Sequence, residues 1–113
     1  MEADITIIGL GPAGLQAAIH AARRKVRVVA VGKSEASSLN KAEVENYLGI
    51  DPMKGAEILS KGREQAKRFG AELLEEEVVK LTKEGDVFVA VTDHASYFFA
   101  VSSIVTSFVS VDS

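Results

Sequence analysis

Gly9, Gly11 and Gly14 stand at the offsets of a GxGxxG turn inside the run ADITIIGLGPAGLQAAIHAARRKVRVVAV, residues 3–31. That spacing suits one task, holding the pyrophosphate of a dinucleotide against backbone amides. Gly9 permits the tight turn out of a strand, and Gly11, with no Cβ, lets the backbone approach an anion closely. Gly14 lets a helix lie against a sheet, helped by Ala13, Ala17 and Ala18. The N–H groups at the helix start, supported by its dipole, then face the anion.

A bound adenosine also needs an acceptor for its ribose hydroxyls, ordinarily an acid ~20 residues beyond the glycines. Ser34 and Glu35 stand 20 and 21 residues after Gly14. Glu35 is able to accept the hydroxyls, with Ser34 adding a weaker hydrogen bond. Lys33 beside them reads as a solvated loop charge, or else as a partner for a 2′-phosphate. Other chemistries are poorly served. With no cysteine there is no disulfide, thiolate metal site or dithiol exchange. His20 has no second metal-type residue beside it, so it reads as a packed or surface histidine, and metal ligands are not expected.

The elements that must position these residues are legible in order. Ile5, Ile7 and Ile8 belong to an apolar strand of the kind buried on both faces. A helix is expected from Pro12 to about Arg24, with proline in its first turn and Leu15, Ala18, Ile19 and Ala22 as its inner stripe. Residues 26–31 read as the second strand, completing a βαβ unit. Residues 32–46 form a long polar loop, a length usually tied to function or disorder. A second helix is expected to start between Asp51 and Gly55, with Asp51 as N-cap, Pro52 as first helical residue and Gly70 as its stop. Ile58, Leu59, Gly62, Ala66 and Phe69 mark its inner side. Residues 71–82, 86–92, 96–101 and 103–109 then read as strands, separated by turn signals at 83–86 and 93–94. The fold class expected is α/β: a Rossmann-like dinucleotide-binding βαβ unit with parallel sheet, followed by a C-terminal group of β-strands.

Composition is that of an ordinary globular domain, and 113 residues suit a single one, residues 1–113. The net charge of −3 gives no general basic footprint for nucleic acid. The acidic N-terminus differs from a signal peptide, and the most apolar run, residues 97–111, is shorter than a spanning helix and broken by serines and threonines. A cytoplasmic protein with no membrane or nucleic-acid partner is the expectation.

The run GLGPAGLQAAIHAARRKVRVVAVGKSE followed by AEVENYLGI resembles the N-terminal FAD-binding segment of the thioredoxin reductase family. The glycine motif is similar to GxGPAG. Val44-Glu45-Asn46-Tyr47-Leu48-Gly49 resembles the family's EVEN[YFW]xG stretch and is more specific than the glycines. The similarity runs from about Asp4 to Val109.

The resemblance implies that Gly9, Leu10, Gly11, Pro12, Ala13 and Gly14 surround the FAD pyrophosphate. Ser34 aligns with the family's ribose-binding acid, with Glu35 one step late. Leu39, Val44 and Asn46 would lie near the flavin ring, and Val78 would offer its backbone to the adenine. Two departures stand out: Ala36, Ser37 and Ser38 replace the usual GGQ, and Val105-Thr106-Ser107 replaces an ATG turn. The implied function is a flavoprotein-type domain whose nicotinamide site and electron acceptor come from a partner chain or domain, with FAD, or NAD(P) instead, as cofactor. Two other readings are a non-catalytic homologue acting as an interaction module and a small NAD or ADP binder. An exposed sheet surface would also favour a homo-oligomer or partner subunit.

Overall fold

The two inner residues of the first strand, Thr6 and Ile7, are buried, and Ile7 belongs to the core on the helix side. The computed structural model describes residues 3–94, 96–99 and 103–106. In it β1 (Ile5–Ile8), β2 (Val28–Gly32), β5 (Glu72–Glu75) and β9 (Ser103–Thr106) form a parallel sheet in the order β5-β2-β1-β9. Alternation along β2 explains its unbroken apolar sequence. Val28 and Ala30 pack with Ile7 against the helices, whereas Val29 and Val31 pack with Ala3 and Ala90 on the opposite face.

The helical layer is α1 (Pro12–Ala22) and α2 (Gly55–Arg68). Proline opens α1, where a missing N–H costs nothing, and Gly14, Leu15, Ala18 and Ala22 are buried. The helix ends two residues short of Arg24, and Lys25 takes φ +63, reversing the chain toward β2. β2 correspondingly starts at Val28, because Val26 is exposed and the Arg27 N–H is bonded to Asp4 Oδ2 at 2.9 Å.

Two expectations about α2 fail for identifiable reasons. Asp51 does not cap α2 and Pro52 is not helical: Met53–Lys54 forms a short strand β4 paired with β3 (Glu43–Val44), so Lys54 is the N-cap and Gly55 starts the helix. The long loop contains 3-10 turns at Ser34–Ala36 and Ser38–Lys41. Phe69 is exposed rather than inward, lying between the guanidinium groups of Arg23 and Arg68 at 5.8 and 5.9 Å. Gly70, at φ +107, does end α2.

The expected strand over 71–82 is two strands. β5 stops at Glu75, and β6 (Val78–Glu84) begins in another sheet, antiparallel with β7 (Val87–Thr92), which pairs with β8 (Ser96–Phe99). Glu75, Glu76 and Glu77 are three successive acids, unsuited to a buried parallel strand, and the chain crosses there. The three-stranded sheet covers the face of Val29 and Val31, with Val78 and Phe88 packed against it. The expected strand over 96–101 is seen as 96–99 and that over 103–109 as 103–106; residues 100–102 and 107–109 lie outside the described residues. β9 leaves the C-terminal group and joins the parallel sheet beside β1. Among the described residues no helix is long and apolar enough to cross a membrane.

Candidate dinucleotide site

The turn between β1 and α1 sits at the carboxyl end of the parallel sheet, where open α/β sheets take ligands. Gly9 has φ +130, a conformation L side chains rarely adopt, and its N–H donates to the Val31 carbonyl at 2.7 Å. Gly11 is the N-cap of α1 with φ −83, open to any residue. A Cβ there would meet Ser37 Oγ at 3.4 Å, an ordinary contact. Neither the backbone nor the packing demands glycine at 11, so the vacant volume suits something outside the chain.

No side chain caps α1, and its first turn carries no acid. Its first N–H groups thus keep the helix's partial positive charge undiluted, the arrangement that attracts phosphate. Leu10 is different from its neighbours. Its side chain is buried in the core against the helices, leaving its backbone as the part able to meet a ligand.

A cavity of about 790 Å³ opens beside the turn, lined by Ile8, Gly9, Val31, Gly32, Lys33, Glu35, Ala36 and residues 77–81. It brings together Gly9, Glu35 and Val78 from the expected set. Pro12 and Ala13 instead line a separate groove of about 570 Å³ between α1 and α2, with Tyr47, Ile50 and Met53. Leu39 lies in the second 3-10 turn and packs on the helix-side core, Val44 is in β3, and Asn46 is exposed; none of the three lines the 790 Å³ cavity.

Ser34 is tied to a residue that the spacing rule did not point to. Its N–H donates to Glu75 Oε1 at 3.0 Å and its hydroxyl donates to Glu75 Oε2. Glu35, one residue on, is exposed. The run of three acids at 75–77 was the available signal, but pairing Glu75 with β2 required knowing the sheet order. Glu77, which lines the cavity, is anchored in turn: its N–H donates to Asp93 Oδ1 at 3.1 Å. The Asp93 carboxyl is held below the ordinary aspartate value, first by the hydrogen bond from His94 and second by that Glu77 N–H.

Known proteins share this fold. Residues 3–104 match the pyridine nucleotide-disulphide oxidoreductase family. A thioredoxin reductase of Streptomyces coelicolor is 36% identical over 108 residues, covering 92% of this chain and 33% of its own. One from Aquifex aeolicus is 40% identical over 86 residues, 74% of this chain and 27% of that protein. Among solved structures, an atypical thioredoxin reductase from Desulfovibrio vulgaris Hildenborough superposes with TM-score 0.86 at 31% identity, over 98% of this chain and 38% of that one. The chain thus spans about a third of the length of the curated relatives it matches. With the glycine turn, the parallel sheet and a family match over residues 3–104, the chain belongs to the pyridine nucleotide-disulphide oxidoreductases as a thioredoxin reductase-like segment.

Proposed function

We propose that this chain binds FAD, as the flavin-binding part of a thioredoxin reductase-like oxidoreductase. Gly11 carries the reading: a glycine that the fold does not require, at the uncapped start of α1, two residues after Gly9, which lines the cavity of about 790 Å³. The residues present fit the group. Backbone N–H groups at the start of α1 would hold the pyrophosphate, Gly9 and Val78 would flank the adenosine half, and the segment holding Leu39, Val44 and Asn46 would approach the flavin. FAD, when bound, supplies hydride and electron transfer, while the chain supplies position and exclusion of water. Turnover with a nicotinamide cofactor and an acceptor would draw on other parts of the protein or on a partner chain. The same cradle would accept ADP or NAD.

The purified chain is expected to be yellow, or to become so with added FAD, and to release the flavin on denaturation. Gly11→Ala tests the carrying observation. Its Cβ has room within the protein, so the melting temperature should hold while FAD affinity falls at least about 10-fold, one decade of binding constant. Unchanged affinity in a folded Gly11→Ala protein would remove the site.

A further inference from the structure

Spacing along the chain seeks the ribose acid at the end of β2, and finds Ser34 where the acid is expected. The fold provides a carboxylate from the adjacent strand. Gly32, the last residue of β2, is paired in register with Glu75, the last residue of β5. Ser34 turns back onto that pair, donating its N–H to one carboxylate oxygen of Glu75 at 3.0 Å and its hydroxyl to the other. Each carboxylate oxygen offers two lone pairs, so both oxygens retain capacity to accept. Held by two donors from one residue, the carboxylate has little rotational freedom left to lose on binding. Neither Ser34 nor Glu75 itself lines the 790 Å³ cavity, but each adjoins residues that do: Lys33 and Glu35 flank Ser34, and Glu77 stands two residues beyond Glu75.

We propose that Glu75 is the carboxylate that accepts a hydrogen bond from the adenosine ribose, with Ser34 as its positioning residue. The assignment rests on the dinucleotide reading above and gives it a specificity. A free ribose diol can donate to the carboxylate. A ribose 2′-phosphate would set negative charge against negative charge, so the site takes FAD, NAD or ADP and rejects 2′-phosphorylated nucleotides. Lys33 and Lys80 both line the cavity and are the cations that would oppose that choice.

Calorimetry on the 113-residue chain with four probes decides it: ADP, 2′-deoxy-ADP, 3′-deoxy-ADP and adenosine 2′,5′-bisphosphate. The parent chain should favour ADP over at least one deoxy analogue by about 10-fold or more, the worth of a hydrogen bond to a charged group. In Glu75→Ala that preference should shrink to about 2-fold or less, with Ser34→Ala between the two. Glu75→Gln keeps an acceptor for Ser34 and should reduce the preference while relieving the rejection of the bisphosphate, which covers the case in which Glu75→Ala does not fold. The ratio between probes is insensitive to a merely structural role. A preference that survives in Glu75→Ala or Glu75→Gln, no preference in the parent chain, or tighter binding of the bisphosphate than of ADP overturns the assignment and leaves nucleotide binding standing. A parent chain that binds neither ADP nor FAD overturns the dinucleotide reading, and this assignment with it.

Discussion

Gly32 meets Gly9 backbone against backbone: a Cβ on Gly32 would lie 3.2 Å from the Gly9 Cα and 3.0 Å from the Leu10 nitrogen. The end of β2 is therefore packed directly under the turn that forms the phosphate cradle. That turn has little room to retreat, since the Gly9 N–H is fixed to the Val31 carbonyl at 2.7 Å. The glycine outside the GxGxxG motif constrains the motif as firmly as its own members do.

Gly32→Ala should accordingly destabilise the chain by about 1–3 kcal/mol, the range for forcing one extra carbon into a packed interior. It should also lower FAD affinity, because the displaced backbone is that of Gly9 and Leu10. Urea unfolding and flavin titration on the same protein check both. Full stability in Gly32→Ala would show that the turn relaxes freely and would undo the argument for a rigid cradle.

A second contact of this kind fixes the linking loop. A Cβ on Gly55 would lie 1.8 Å from the Leu39 carbonyl oxygen, a distance no packing adjustment of side chains can relieve. The Gly55 N–H meanwhile donates to the Ala42 carbonyl at 2.8 Å, holding the start of α2 to the end of the 3-10 turn. Gly55→Ala must therefore break that junction. The expected loss is about 3 kcal/mol or more, at or beyond the upper end for overpacking. A thermal midpoint within a degree or two of the parent would sink the claim, since a loss of that size moves a domain near 100 residues by over ~10 °C.

These two positions also show where reading the chain in order stops working. The βαβ unit was legible because its signals are local: the unbroken apolar run of β2, proline opening α1 and glycine offsets in the turn. Gly70 as the end of α2 was legible for the same reason. Gly55 looked like one more residue near a helix start, and its neighbour Leu39 is sixteen residues away in sequence. Asp51 and Pro52 carried the standard start signals for a helix, yet pairing of Met53–Lys54 with Glu43–Val44 delays the helix to Gly55. Tertiary contact overrode propensity there. The same limit hid Glu75. Its partner Ser34 is set by the parallel pairing of β2 with β5, a pairing no periodicity encodes.

The crossing from β5 to β6 makes a prediction about pH. Asp93 Oδ1 accepts from the Glu77 N–H at 3.1 Å and lies 2.9 Å from His94 Nδ1, which must be the donor because a carboxylate only accepts. Both contacts favour the charged carboxyl, and Asp93 titrates below its ordinary value, with the His94 bond the larger cause and the Glu77 N–H the next. For a depressed acid the sign is fixed: its contribution to stability is complete above the unfolded-chain pKa, ~3.9, and is lost as pH falls through the lower folded value. The group is exposed, so the effect is local and weakened by salt. Carbon-detected NMR of the Asp93 side chain should give a midpoint below that of an unstructured aspartate. His94→Ala should raise the midpoint part of the way back, since the Glu77 N–H remains, and the Glu77 amide signal should follow the same titration. A midpoint unmoved by His94→Ala would show that the backbone contact alone holds the carboxylate, and that the imidazole is a bystander.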